Sequence, residues 1–493
     1  MKLKYLLRFL IAAALVLSLM TACNGEDITD PGGTGGGDAG TGGGDDGPVG
    51  CCHLKGVSPW PGERDLGGIH VTRGVWWSPN TAPPTTAYAE ARLAYREQMQ
   101  EKHNFTFEEI KVADWGSMRE IANNSIIAGT PVASIITLDS RHTMPFFRQG
   151  SAAPISELAP SVNLNDEKWN QLVVNSMTFN DIIYGFAFGY EPRSGVFFNK
   201  NVLEEAGIDP YMPYDLQLAA GASWTGPSGT THTAWTWDAF MDMCDQTTRD
   251  IDNDGETDIY GLAAFHVDTL AAAVTSNGAR YVDQDENGRF FNASGSDAFL
   301  DAANFIHELA QRGFVRPQPD GTNWDWFIQG FNEGASAFRV TEEYAKADLV
   351  DVSFEWGFVF FPKGPNVDVH ISIYRENIQI IPVSFSADEI DKIMFAYDLM
   401  TEPVPGFEDD EMAWKYDAYS AYRDSRAVDE TLAMMRSGVN GSLRLEPYII
   451  GFETGDVAYN IWDFDSTPAE LIEGAKLVWD TLINDVNRIL FGS

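Results

Sequence analysis

Asp250, Asp252, Asp254, Glu256 and Asp258 fall within one nine-residue segment whose sixth position is Gly255. Carboxylates on alternate residues around a tight glycine turn are the spacing by which a loop wraps oxygens around a hard divalent cation, and Ca²⁺ suits such a set. The twelfth position is Gly261, where an EF-hand carries a bidentate Glu, so the loop needs another carboxylate or binds weakly. A solvated acidic turn is the alternative. A shorter echo, Asp283, Asp285, Asn287 and Gly288, reads more simply as a hairpin turn, because Asn-Gly favours the primed turns.

Other catalytic signatures are lacking. The chain has no HExxH, GxSxG, GxxxxGKS/T or CxxC, and its eight histidines are scattered without ligand spacing. Paired carboxylates of a glycoside hydrolase stay open, because 72 acidic residues guarantee chance pairs. The four cysteines give no disulfide framework. Cys51 and Cys52 are adjacent and read as a redox or soft-metal pair or as plain linker thiols, and Cys244 reads as a small core residue.

These residues need a scaffold, and the pattern from Asp65 onward supplies one. LGGIHVTRGVWW reads as a strand, Ala87 to Lys102 as a helix, FTFEEIKV as a strand, the segment opened by Asp114 as a helix, and VASIITL as a buried strand. That alternation is the signature of an α/β sandwich with parallel strands, whose ligands lie beyond the carboxyl strand ends, near Trp76-Trp77 and Asp139-Ser140-Arg141. A second α/β block begins near residue 159. It contains strand-like YGFAFGYEPRSGVFFNK, a long polar loop through His232, helices over 237–247 and DAFLDAANFIHELAQRG, and the strands WGFVFF and ENIQIIPVSF. Capping boxes at Ser386/Glu389 and Thr467/Glu470 open two more helices, the last with Leu471, Ala475, Val478, Leu482 and Val486 as its expected buried face.

Ahead of this body, Lys2, Lys4 and Arg8 precede a short apolar run that stops at Thr21-Ala22-Cys23. A positive start, a short apolar middle and small residues before the cut describe an export signal over residues 1–22. LMTAC resembles the lipobox of bacterial lipoproteins, in which the residue matching Cys23 is acylated, although Met20 stands where Leu is more usual. An ordinary secretory signal is the alternative. Residues 23–58 are Gly-rich with little to bury and are expected to form a disordered tether reaching some tens of ångströms, at about 5–6 Å × √n. With 72 acidic against 33 basic residues and a net charge of −39, the chain is no candidate for nucleic acid or a basic membrane patch. Neutral or cationic ligands and divalent metals stay compatible.

Four segments in order resemble the carbohydrate-binding solute-binding proteins of ABC importers, the maltose-binding-protein-like family. They are the LGG-strand-Trp opening, YGFAFGYEPRSGVFFNKNVLEEAGI, the family's helix motif at FNEGASAFRVTEEY, and the strand and turn WGFVFFPKGP. The insertion between Asp209 and Thr236 departs from the family's shorter pattern. The resemblance implies an α/β, two-lobed periplasmic-binding-protein-like (type II) fold that hinges closed on its ligand. Lobe one would hold residues 59–158 and 372–400, and lobe two 159–371 and 401–493.

A pyranose offers apolar C–H faces to aromatic rings and hydroxyls to charged or amide groups. Trp76 or Trp77 at a strand end could supply a platform, adjacent strand residues facing opposite ways, or both could pack internally. The resemblance implies a hydroxyl-binding carboxylate at Asp139, with a helix cap as the alternative, and an aromatic ligand contact at Tyr344, with Arg339, Glu342 and Glu343 beside it. Tyr190, Glu191 and Arg193 read as ligand contacts or as a hinge ion pair, and Trp324 and Trp326 as cleft lining or core. Arg375, Glu376 and Asn377 fall at a lobe crossing, as ligand or hinge contacts. The implied protein is a monomer, lipid-anchored on the extracytoplasmic face of the bacterial cell membrane, that hands a carbohydrate to ABC permease subunits. A surface glycosidase or lyase, or a sensor without transport, are the alternatives.

Overall fold

Val71 and Val75 are fully buried on one face of strand β1 (Ile69–Val75), which pairs in parallel with a strand on each side. The computed structural model describes residues 64–319, 321–322, 325–374, 377–407, 413–437, 440–463 and 465–492. The expected export signal, Cys23, the tether with Cys51 and Cys52, and Trp324, Arg375 and Glu376 lie outside the described residues.

From β1 the chain enters helix α1 (Ala87–His103), where the Thr86 hydroxyl accepts from Ala89 N at 3.1 Å, and leaves it through Asn104 in the left-handed region. Strand β2 (Phe105–Lys111), helix α2 (Trp115–Ile127), strand β3 (Ile135–Asp139) and helix α3 (Ser140–Arg148) follow. Asp114 occupies the cap position of α2 without bonding its backbone, because its carboxylate pairs with Lys111 at 2.8 Å.

The second unit is built on β4 (Ser194–Asn199), helix α4 (Trp237–Thr247), β5 (Tyr260–Ala264), helices α5 (His266–Ser276) and α6 (Asp297–Gln311), β6 (Ser336–Glu342) and β7 (Trp356–Val359). Its sheet order is β7-β4-β6-β5, with β4 antiparallel to both neighbours and β5 parallel to β6. Every residue of β4 and β6 is buried. Phe197 and Phe198 alone contribute roughly 1.5–3 kcal/mol each by leaving water. The chain then returns as β8 (Asn377–Ile380) to the first sheet, whose order is β8-β3-β1-β2, and continues into α7 (Ala387–Met400). The last helix, α8 (Pro468–Phe491), packs on the second unit.

Both capping boxes form, at Ser386/Glu389 and Thr467/Glu470. Cys244 is fully buried, and Val282–Gln284 pairs with Phe290–Asn292 across the Asn287-Gly288 turn. Several expectations need correction. FNEGASAFRVTEEY is not one helix: the helix covers Trp326–Asn332, Gly334 turns the chain at φ +84°, and the remainder is the central strand β6. Val486 is buried in α8 as expected and Leu471, Ala475 and Leu482 pack partly buried on the core, but the face centres one residue later, on Ile472, Trp479 and Ile483, and Val478 is 60% exposed. Trp479 decides the face, stacking on Phe452 at 4.8 Å and donating to Glu453 O at 3.0 Å. In YGFAFGYEPRSGVFFNK only residues from Ser194 join a ladder, Pro192 making a single bridge to Tyr374. The loop from Asp209 to Thr236 carries a helix, Met212–Leu218, and a small hairpin, Trp224–Thr225 with Thr231–His232. Finally, Ser372–Tyr374 pairs with Gly441–Leu443, and the Ser372 hydroxyl donates to Ser194 O at 2.9 Å, so these residues belong with the second unit.

Candidate functional site

The parallel register of β1, β2 and β3 brings three loops to one sheet edge, carrying Trp76 and Trp77, Trp115, and Asp139 with Arg141. Antiparallel β8 places Asn377 opposite Asp139 at that edge. In the second sheet, the pairing of Glu342 with Ser194 and of Val359 with Val196 gathers Arg193, Glu342 and the start of α5 at an edge of its own. The two edges meet at Asn377. Arg193 Nη2 donates to Asn377 Oδ1 at 3.4 Å, and Asn377 Nδ2 donates to Glu191 Oε2 at 3.3 Å.

Arg193 is 8% exposed and organises the junction. It pairs with Glu191 at 2.9 Å and with Glu342 at 3.5 Å, and its guanidinium lies 5.2 Å from the centre of the Tyr344 ring. Tyr344 itself stays 55% exposed. Loss of surrounding water pushes the Glu191 carboxyl above the usual range; Arg193 opposes the shift, Glu342 and Glu343 add to it, and Arg73 of the first lobe pulls it down. Tyr190 packs 5.5 Å from Tyr374, whose ring fits over Gly441, where a Cβ would fall 1.7 Å from a ring carbon. Arg193, Ser194, Asp268, Glu342 and Arg444 line a small polar recess behind this cluster.

Across the junction, Arg73 Nη1 pairs with Glu109 at 3.0 Å, and Trp77 Nε1 donates to the same carboxylate at 3.0 Å. The Arg73 guanidinium lies 5.6 Å from the Trp77 ring. Trp76 meets Trp77 edge-on at 5.0 Å and packs inward against the core around Ile136 and Leu138. Asp139 caps α3, accepting from Arg141 N at 3.0 Å and from Arg141 Nε at 3.0 Å.

Arg339 stands apart from this cluster. It is 1% exposed, pairs with Asp348 at 2.8 Å and lies over Phe327, which takes it out of a solute's reach. Trp326 is also core, edge-on to Phe327. Sequence reasoning passed over Trp115, 40% exposed, with the Arg141 guanidinium 4.8 Å from its ring and His142 at 5.1 Å. The signal was its place just past β2; reading DWGSM as a helix start concealed it. Arg73 on β1 and Glu109 on β2 were missed because polar residues alternating along a strand resemble a solvated face.

In the acidic loop, Asp250, Asp252 and Asp254 bring carboxylate oxygens within 4.8 Å of one another. Asp250 accepts from Asn253 N at 2.7 Å and Gly255 N at 2.9 Å, and the left-handed backbone of both residues folds the loop inward. Glu256 and Asp258 fall outside the trio, Asp258 accepting from Ile251 N at 2.7 Å. The donors are hard oxygens of the kind calcium takes, and Asp250, Asp252 and Asp254 are the residues that would hold it. Two cavities, of about 650 Å³ beside Arg119 and Arg148 and about 580 Å³ between α4 and α6, share no residue with the Arg193 cluster. Converging charges and rings, rather than volume, mark the junction as the site.

Two α/β lobes joined by crossing strands, with a charged and aromatic cluster where their sheet edges meet, define a binding protein of the kind that closes on a small solute. The family model for bacterial extracellular solute-binding proteins matches residues 78–391, and the chain belongs to that family. Family membership puts the chain outside the cytoplasm, among binding proteins. No curated protein matches the sequence. Among solved structures, the cyclic α-maltosyl-1,6-maltose binding protein of Arthrobacter globiformis is similar at 14% identity and TM-score 0.59, over 85% of this chain and 100% of that one. The GacH receptor of Streptomyces glaucescens, solved unliganded and with acarbose, is similar at 13% identity and TM-score 0.56, over 85% and 99%. UgpB of Mycobacterium tuberculosis, in complex with glycerophosphocholine, is similar at 16% identity and TM-score 0.57, over 80% and 95%. Among the described residues no helix is long and apolar enough to cross a membrane.

Proposed function

We propose that this protein captures a carbohydrate, an oligosaccharide rather than a single sugar, between its lobes and delivers it unaltered to the transmembrane subunits of an ABC importer. The observation that carries the reading is the Arg193 cluster: a half-exposed tyrosine ring and a set of hydrogen-bonding charges stand together where the lobes meet. A sugar needs that pairing, rings for its C–H face and charged groups for its hydroxyls. Trp77 and Trp115 extend the aromatic surface on the other lobe. Two of the similar structures carry glucose-based oligosaccharide or acarbose ligands in their names, and a third binds glycerophosphocholine, so fold alone does not choose the solute.

In this reading the protein works as a monomer, acylated Cys23 anchors it to the membrane, the Gly-rich tether spaces it from the permease, and a calcium ion stiffens the Asp250 loop. Titration calorimetry of the purified protein against linear and cyclic oligosaccharides tests the reading. Micromolar or tighter binding with the sugar recovered intact supports it. Release of shortened products would replace it with an enzyme.

A further inference from the structure

We infer that the solute is a linear oligosaccharide several units long, bound lengthwise, and that a groove between α2, α3 and Ile450 holds the units beyond the Arg193 cluster; this rests on the carbohydrate reading above. The groove is the cavity of about 650 Å³ lined by Arg119, Asn123, Pro145, Phe146, Gln149 and Ile450 among others, within the size range that encloses a small-molecule ligand. Its lining comes from both lobes, two helices of the first and Ile450 of the second, so its width changes as the lobes hinge. Both walls begin at the junction. Trp115, Arg119 and Asn123 follow one another at four-residue steps along α2, and His142, Phe146 and Gln149 at steps of four and three along α3, so each series runs down one side of its helix. The rings of Trp115 and His142 meet at 5.1 Å where the two series start. On the opposite wall, Arg444 lines the recess behind Arg193 and pairs with Glu446. From there the chain passes Tyr448, whose hydroxyl shares a hydrogen bond with Ser176 at 2.9 Å, and reaches Ile450.

The lining fits a neutral, amphipathic chain. Pro145, Phe146 and Ile450 supply an apolar floor for C–H faces, and Arg119, Glu120, Arg148 and Gln149 stand exposed around it as donors and acceptors. Charges of both signs stand in water there, so no buried ion selects a charged solute, and hydroxyls are what the rim can bond. Asn123 adds a carbonyl oxygen that is shut off from solvent and accepts no hydrogen bond. Leaving such an acceptor unsatisfied is costly, and a sugar hydroxyl donating to it would remove the cost. From Trp115 to Asn123 the helix rises about 12 Å at 1.5 Å per residue, more than one sugar ring spans. A single ring held at Tyr344 would therefore leave the groove empty, whereas a chain passing the exposed Trp115 ring would fill it.

The test is titration calorimetry of the mature protein against linear gluco-, manno- and xylo-oligosaccharides of two to six units, with a cyclic glucan as comparison. In the series that binds, six units should bind roughly tenfold or more tighter than two, and the linear chain tighter than the cyclic one. Arg119→Ala combined with Gln149→Ala, both at exposed positions, should remove most of that gain without lowering the melting temperature, and Asn123→Ala should act in the same direction. Tyr344→Ala, at the junction, should instead weaken every length alike. Equal affinity for two and six units, a length gain that survives the double substitution, or a preference for the cyclic glucan overturns this inference and leaves the carbohydrate reading standing. Failure of every oligosaccharide to bind overturns both.

Discussion

Arg193 holds the ring of Tyr344 5.2 Å from its guanidinium while its own side chain is almost fully buried. The pair therefore divides the labour of the junction. Arg193 is fixed by Glu191, Glu342 and Asn377 from both lobes, and it presents Tyr344, more than half exposed, in a set orientation. A ring held this way loses little further freedom on binding, which is how an exposed aromatic becomes an affinity determinant.

Tyr344→Ala should weaken oligosaccharide binding by roughly three- to tenfold, the range expected for one lost stacking partner, and leave the melting temperature nearly unchanged. Arg193→Ala should weaken binding further and also lower the melting temperature, because Glu191 and Glu342 would be left facing each other. Calorimetry and thermal melting on the same preparations check both. Unchanged affinity in Tyr344→Ala would remove that ring from the site.

Arg339→Ala should behave in the opposite way. It strands Asp348 and empties a fully buried position, at a cost of about 3 kcal/mol, the low end for a broken buried pair because Asp348 is 40% exposed. Chemical denaturation should show the loss, while the folded fraction binds sugar with normal affinity. A large affinity change with normal stability would return Arg339 to the site.

Stability should fall as pH drops from 6.5 towards 4. Burial lowers His370, stacked on Phe360, to about 4, and lowers His266, stacked on Trp462, to about 4. Between those pH values the unfolded chain takes protons that the folded chain refuses, so the contribution is complete above 6.5 and lost on acidification. His370→Phe preserves the stack and should flatten the dependence of melting temperature on pH within that window. An unaltered slope would mean that His370 titrates normally in the folded protein.

Calcium added to chelator-treated protein should raise the melting temperature by mass action, and Asp252→Asn should abolish the increase. Absence of any shift at millimolar calcium would leave the Asp250 loop as a self-bonded acidic turn, a role its backbone hydrogen bonds already support.

What could be read from sequence was what local chemistry dictates. The two capping boxes, the helix over Trp237–Thr247 and the alternation of the first lobe depend on neighbours within four residues. The resemblance supplied the lobes and pointed to Tyr344 with Glu342 beside it, while Glu191 and Arg193 stood out separately by their residue types; that the four meet is visible only in the structure. What escaped depended on tertiary partners. Strand β6 is buried on both faces, so it shows no alternation, and its Arg339 reads as a ligand-site neighbour of Tyr344 until Asp348 and Phe327 enclose it. The face of α8 turned on Trp479 finding Phe452, a contact no periodicity displays. Trp115 became visible only when the register of β1 with β2 fixed which loops share an edge.

Strand β8 joins β3 although Asn377 and Asp139 are far apart in the chain. A polypeptide threaded through an export channel from its amino end must therefore leave the flank of β3 unpaired until nearly four-fifths of its length has emerged. During that interval an unsatisfied strand edge is open to any passing β-segment. Secretion of this protein should accordingly depend on extracytoplasmic chaperones, and truncations before residue 380 should aggregate rather than yield a separable amino-terminal lobe.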